Sequence, residues 1–323
     1  MTHPFRTFPD AGHVAPQKEN TMSMKSITTA TVGQPIRHGG VSIFPLYLEK
    51  PHPSAAVVAD DSLEVSELES ATVPQLLVTN TKDVPVIIPA GRVLEGGRQT
   101  RTVNVSILVP AGATIPIPVS CVEAGRWHGG SQFRDSKRIA GRNIRMAKQR
   151  GVKGNIDRSG TKHSDQGAVW ESISYELHSR SIVSDSSSYL DADNYVENNA
   201  HLSALLAEFE KAGVDPGQTG IAVAYGNKIA GIELFTNSGD FSRSWESLVR
   251  AAVLDSPEGL DGTAEIGIAD VEKFLADVAA EAATEAKGTG LGTEYHVATE
   301  RVVAHALVDE AGELMHAYAF AEI

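Results

Sequence analysis

Cysteine is nearly absent: Cys121 is the only one in 323 residues. That excludes an intrachain disulfide and any zinc or iron–sulfur site built from several thiolates. Long hydrophobic runs are missing too, and none approaches the roughly 20 residues a membrane-spanning helix needs. The opening stretch MTHPFRTFPDAGHVAPQKEN carries no apolar core of a secretory signal. A cytoplasmic protein without a membrane partner is therefore expected. The patterns G-x-x-x-x-G-K-S/T, G-x-S-x-G and H-E-x-x-H do not occur, which removes P-loop, α/β-hydrolase and zincin readings. What remains is ordinary globular composition, with 41% hydrophobic and 21% charged residues. The length suits two domains.

Charge divides the chain. Residues 185–323 hold 25 acidic and 7 basic residues, whereas the first 184 hold 16 acidic and 21 basic. The acidic half should repel nucleic acid and anionic membrane, so neither is expected as a partner. Between Arg134 and Lys162 ten basic residues face two aspartates. A solvated loop or helix is the preferred reading there, ahead of a polyanion contact.

The pattern along the chain predicts an α+β fold. Residues 1–35 are polar and aperiodic and read as a disordered leader, with Met22 and Met24 as alternative starts. Residues 36–128 read as an antiparallel β-sandwich or barrel-like domain. Its short Val/Ile runs (VSIFPLYL, PQLLVTN, DVPVIIPAG, TVNVSILVPAG, TIPIPVSC) alternate with Gly/Pro turns. Pro116 and Pro118 remove two amides on one side, which marks an edge strand. Residues 129–193 read as a basic connector. It allows a short helix around 136–150, predicts a second over 164–182 capped by Ser164 or Asp165, and ends in a Ser/Asp-rich linker over 184–193. Residues 194–323 read as an α+β domain with helices on an antiparallel sheet. Its expected elements are helices over 194–212, 242–254 and 269–286, the hairpin GIAVAY–GN–KIAGIELF, and a closing hairpin over 294–308 and 313–321.

Two stretches concentrate chemistry-bearing side chains: Glu95–Arg101 (EGGRQTR) and Ser120–Trp127 (SCVEAGRW). If their strands pair antiparallel, Gln99, Arg101, Glu123 and Arg126 converge at one end of the sheet. Arginine offers bidentate contacts to phosphate or carboxylate, and Trp127 offers a stacking face. The same residues equally describe an internal Glu–Arg network that fastens the loops. Gln166 and Trp170 share a helical face and are candidates to pack against the arginine loops.

Other constellations read more plainly. Cys121–Arg126 has the length of a rhodanese-type loop, but no helix start follows and Glu123 opposes a thiolate, so a buried strand-ending cysteine is the preferred reading. His305 and His316 fall nearly opposite in the closing strands, with Glu300 and Glu322 nearby. A polar sheet face is preferred over a metal site, and no metal is assigned. Gly288–Gly292 lies after a helix and before a strand, the wrong order for a dinucleotide loop.

The wording of Leu63–Trp127, above all LEGGRQTR and IPVSCVEAGRW, together with SDQGAVWESI and GIAVAYGNKIAGIELF, resembles a bacterial family. This is the ARG and Rhodanese-Phosphatase-superfamily-associated protein domain family, ARG standing for ADP-ribosylglycohydrolase. The resemblance runs from about Gly40 to the C-terminus. The matching positions are Glu67, Gln99, Arg101, Cys121, Glu123, Arg126, Trp127, Gln166 and Trp170, while Arg98 and Thr100 depart from the pattern. The resemblance implies an association with ADP-ribose-linked proteins and no particular activity or cofactor.

Three functional readings follow. In the first, the protein binds, and in one version processes, a small phosphate-bearing ligand such as a nucleotide or ADP-ribose derivative. Arg101 and Arg126 then hold phosphate, Gln99, Gln166 and Trp170 line the site, Trp127 stacks, and Glu123 is the candidate general base. In the second, the cluster is structural and the protein is a non-enzymatic scaffold whose acidic half meets a protein partner. A third reading is sulfur or phosphate transfer through Cys121. A solvent-open pocket at the cluster distinguishes the first from a sealed, fully paired one, which belongs to the second.

Overall fold

The computed structural model describes residues 24, 26–49, 51, 56–59, 63–68, 73–260 and 266–323. The chain opens with β1 (Ala30–Val32), β2 (Ile36–His38) and β3 (Val41–Leu48). Short strands follow: β4 (Val57–Val58), β5 (Leu63–Ser66), β6 (Gln75–Asn80), β7 (Val86–Ile88) and β8 (Arg92–Gly96). After them come β9 (Arg101–Val103), β10 (Ile107–Val109), β11 (Thr114–Cys121) and β12 (Gln132–Ile139). Helices α1 (Arg142–Ser159), α2 (Gln166–Ser179), α3 (Tyr189–Asn198) and α4 (Ala200–Ala212) form the middle. The chain then runs through β13 (Gly220–Tyr225), β14 (Lys228–Phe235), α5 (Ser238–Leu254) and α6 (Ile268–Ala280). It closes with β15 (Thr284–Lys287), β16 (Thr293–Ala298), β17 (Val302–Val308) and β18 (Leu314–Ala321).

The fold is α+β with antiparallel sheets. Strands β11, β6, β5, β12, β8 and β9 close into a six-stranded barrel, and a small sheet of β10, β7 and β4 lies beside it. A nine-stranded sheet runs β1-β3-β13-β14-β18-β17-β16-β15, with β2 also on β3. Alternation explains why its strands are apolar throughout. Ile221, Val223 and Tyr225 of β13 join the core under α2–α5, while Ala222 and Ala224 join the opposite core with Val271, Leu275 and Val278 of α6. Each large apolar side chain fully buried in these layers contributes roughly 1.5–3 kcal/mol.

Several boundaries differ from the sequence expectation. Most of the expected leader lies outside the described residues, but its end does not. Ile27 is fully buried and β1 pairs with Leu46–Leu48, so the fold begins before Ile36. The 36–128 block is not one domain. Its strand β3 pairs with β13 over Val41–Leu46, because a strand buried on both faces needs partners the barrel cannot give. The connector is structural throughout: β12 completes the barrel and α1 is an 18-residue helix whose Arg145, Lys148 and Gln149 point into the protein. The linker over 184–193 gives way to α3, capped by the Ser188 hydroxyl. One expected helix over 194–212 is two, because extended Asn199 ends α3 and caps α4 through the His201 and Leu202 amides. The closing hairpin is a three-stranded meander, β16 to β18. β11 is not an edge strand, since it pairs with both β6 and β9 in the closed barrel. Val119 N reaches Pro74 O, so the missing amides of Pro116 and Pro118 face away from β6, beside the short β9 that pairs only from Val119 on.

Candidate functional site

Antiparallel pairing of β9 with β11 places Arg101 opposite Cys121 and so brings the two chemistry-bearing stretches together. The resulting cluster closes largely on itself, although the Nε–H of Arg101 is buried without a partner. Gln99 donates to the Glu123 carbonyl at 2.9 Å, and Arg101 donates to the Gln99 side chain at 3.0 Å. Both side chains are buried. The Glu123 carboxylate accepts from Thr100 N at 3.0 Å, Thr100 Oγ1 at 2.9 Å, Arg126 at 2.7 Å and Ser186 Oγ at 3.0 Å. Arg126 also donates to the carbonyls of Gly96, Gly97 and His128. Burial alone would lift the Glu123 carboxyl, but the hydrogen bonds from Arg126 and Thr100 outweigh it and hold it down at about 2. A carboxylate that low is a poor general base near neutral pH. Arg101 and Arg126 thus share a neighbourhood in which both are held by the protein's own acceptors.

The remaining expected site residues join the same fastening. Gln166, at the start of α2, clamps the Cys121 backbone from both sides, its Oε1 accepting from Cys121 N and its Nε2 donating to Cys121 O, each at 2.8 Å. Trp170 is half-buried one turn on. Burial pushes the Cys121 thiol up, against smaller pulls from its Glu123 carbonyl contact, Arg101 and the Trp170 indole. With no helix after the loop, burial outweighs these pulls and keeps the thiol protonated rather than reactive. Glu67 accepts from Arg98 N at 3.2 Å. Trp127 alone stands out into solvent, 56% exposed.

A second buried cluster was not legible from local motifs. In register, His296, His305, Tyr318 and Glu233 form one row across β16, β17, β18 and β14. The row meets α1 and the barrel. Arg145 grips Glu233 with two hydrogen bonds of 2.7 and 2.8 Å. His316 bridges Glu233, at 2.9 Å, to Ser106 Oγ, at 2.7 Å. Ser106 N donates to His305 at 3.1 Å. Lys148 is buried against the Val103 carbonyl. Burial pushes His305 and Lys148 down, and it pushes His316 down against the opposing pull of Glu233. His305 and His316 are two positions out of register, since His305 faces Tyr318 and His316 faces Leu307. Glu322 instead pairs with Arg150 at the surface, and Glu300 is exposed.

Glu294, His296 and His305 offer three ligand atoms within 4.8 Å of one another. The chemistry of the donors does not suit a cation. A neutral imidazole has one nitrogen lone pair. That of His296 accepts from Gln149, whose amide nitrogen also donates to Ala304 O, and that of His305 accepts from Ser106 N. Lys162 already neutralises Glu294 at 2.7 Å. The trio fastens the seam between barrel and sheet.

Open space lies elsewhere. A groove of about 790 Å³ runs between α1 and α2. Its α1 wall carries Asn143, Arg150, Asn155 and Arg158, and its α2 wall carries Glu171 and Tyr175. Arg150, Arg158, Glu171 and Tyr175 are exposed, Tyr175 by 66%. Gly151 makes the groove's floor: a Cβ there would stand 2.2 Å from Asp165 N, so only glycine lets the connecting turn fold back this tightly. A cavity of about 200 Å³ lies at the barrel, and one of about 40 Å³ lies between the large sheet and α5. None of these three is lined by Gln99, Arg101, Glu123 or Arg126.

No curated protein and no solved structure matches the chain at a significant level. The model of one family, the ARG and Rhodanese-Phosphatase-superfamily-associated Protein domain, matches residues 29–320. The chain belongs to that family, and the match covers the barrel, the helices and the large sheet alike.

Proposed function

We propose, with that family membership as premise, that the protein binds a small phosphate-bearing ligand of the nucleotide or ADP-ribose class in the groove between α1 and α2. The observation that carries this reading is the complementary chemistry of the two walls. Arg150 and Arg158 line one wall about two turns apart, roughly 12 Å along the axis. Arg158 suits a phosphate, and Arg150 suits a second one that displaces its surface partner Glu322. The Glu171 carboxylate opposite suits sugar hydroxyls, which need an acceptor, and exposed Tyr175 offers a stacking face. The volume falls within the roughly 300–1,000 Å³ usual for such sites. The family's association with ADP-ribose-linked proteins points the same way. A bacterial cytoplasmic setting agrees with a single, buried, unpaired thiol. Among the described residues no helix is long and apolar enough to cross a membrane.

Thermal shift against ADP-ribose, ADP, ribose 5-phosphate and inorganic phosphate tests the proposal. Arg158→Ala and Tyr175→Ala are expected to abolish the ligand-dependent rise in Tm without lowering the unliganded Tm by more than about 1 °C. A rise that survives both substitutions would refute the groove as the site.

A scaffold role is the second reading, favoured by the self-satisfied Glu123 cluster. Helix α6 exposes Asp270, Glu272 and Asp277 beside Lys273. A salt-sensitive association with an oligolysine peptide, lost in Glu272→Gln/Asp277→Asn, is the result that reading expects.

A further inference from the structure

The barrel interior contains a charged pair that its neighbours do not explain. Leu63 and Val65 of β5, Arg92 and Leu94 of β8, and Phe133 and Asp135 of β12 alternate onto one surface and line the cavity of about 200 Å³, with Ile88 and Ala59 at its side and Arg134, exposed and paired with Glu95, at its edge. Most of this wall is apolar. Into it project Arg92 and Asp135, paired at 2.5 Å with their side chains only 8% and 10% exposed. Burying such a pair costs several kcal/mol of desolvation per ion, and apolar replacements of equal volume are often as stable. The bond uses one amino group of Arg92. Its Nε–H is buried and has no hydrogen-bond partner. β12 is irregular here: register shifts between Asp135 and Ile139, and Lys137 adopts φ 56°. Lys137 N binds the other carboxylate oxygen of Asp135 at 2.9 Å, which fixes the carboxylate and hence the guanidinium. Bulges of this kind commonly re-aim side chains beside binding sites.

We propose that this cavity binds a small monocarboxylate with an apolar body, its carboxylate accepting from Arg92 and its body filling the space between Leu63, Val65, Leu94 and Phe133. The volume is below that of sites for drug-sized molecules, so the ligand is smaller than a nucleotide and the cavity is distinct from the helical groove. Asp135 sets the charge. It offsets most of the field of Arg92, so little attraction is left to repay desolvation. A dianionic phosphate meets twice the repulsion from Asp135 and loses far more hydration against apolar walls than a single negative charge does. The apolar walls favour a hydrocarbon body over a sugar.

Isothermal titration of the full chain with benzoate and hexanoate, against inorganic phosphate and toluene, tests this directly. Both carboxylates are expected to bind and phosphate is not. Arg92→Met/Asp135→Leu removes the pair while keeping the wall filled, and is expected to weaken benzoate at least about tenfold while toluene binds as well or better. If that variant does not fold, Arg92→Lys keeps the charge but loses the Nε–H, and the same weakening of benzoate is expected. Ala59→Phe, which fills the cavity, should remove both ligands. No carboxylate binding at millimolar concentration would overturn the proposal. So would benzoate affinity unchanged by Arg92→Met/Asp135→Leu or by Arg92→Lys, or phosphate binding as well as benzoate.

Discussion

Arg126 and Arg158 are the same side chain put to opposite uses. Arg126 sits at the mouth of a strand pair, where the carbonyls of Gly96, Gly97 and His128 and the Glu123 carboxylate lie within reach. Both of its terminal nitrogens are satisfied inside the protein. Arg158 sits exposed in the last turn of α1, away from strand-end carbonyls and carboxylates, and among the described residues it donates to Asn155 Oδ1 at 2.8 Å. An arginine among irregular loops near strand ends becomes a fastener, whereas Arg158, on an exposed helical wall with no carboxylate partner among the described residues, stays available.

The comparison is broken most severely at Glu123. Glu123→Ala leaves Arg126, Thr100 and Ser186 without their acceptor and should cost roughly 2–4 kcal/mol in urea unfolding. The increment in Tm produced by ADP-ribose should remain, because the fastener is remote from the groove. Arg158→Ala should do the converse: stability within about 0.5 kcal/mol of wild type, and affinity for ADP-ribose lowered at least about tenfold.

Acid separates the two buried clusters. Glu123 is held at about 2, below its unfolded value near 4.5, so its contribution is complete above about pH 4.5 and is lost as pH falls toward 2. His305 and His316 are depressed below the ordinary 6.5, so the unfolded chain takes up protons first and the seam weakens as pH falls below about 6.5. Asp255, raised by burial from 3.8 to about 7, acts in the opposite sense between those values and so overlaps the histidine range. Urea midpoints of His305→Gln against wild type between pH 5 and 7 isolate the histidine contribution, and the variant should show the flatter profile. The smallest effect belongs to Trp127→Ala. An exposed indole that serves neither cluster nor groove should change stability by no more than about 0.5 kcal/mol.

Much of this was legible in the sequence, for physical reasons. Period-two apolar runs with Gly/Pro turns gave the antiparallel strands, and Gly226-Asn227 marked the hairpin turn, Gly226 standing at φ 57°. The convergence of Gln99, Arg101, Glu123 and Arg126 followed from one strand pairing. Whether those side chains face water or one another did not follow, because that depends on carbonyls from Gly96 and Gly97, which carry no residue-type signal. Only His305 and His316 of the seam were legible in the sequence, because Glu233 joins them through register with β14, which is far away along the chain. A signal was available: Glu233 in GIELF, His296 in TEYHVA and His316 in LMHAYAF each interrupt an apolar strand on one parity. The helical groove was hidden within the basic run Arg134–Lys162, where Arg145 and Lys148 turn inward while Arg150 and Arg158 turn outward.

Titration of ADP-ribose into wild type, Arg158→Ala and Glu123→Ala by calorimetry tests the central claim most directly. Binding that is retained in Glu123→Ala and lost in Arg158→Ala is the expected result. Binding lost in a folded Glu123→Ala and retained in Arg158→Ala would contradict the account and return the ligand to the barrel cluster.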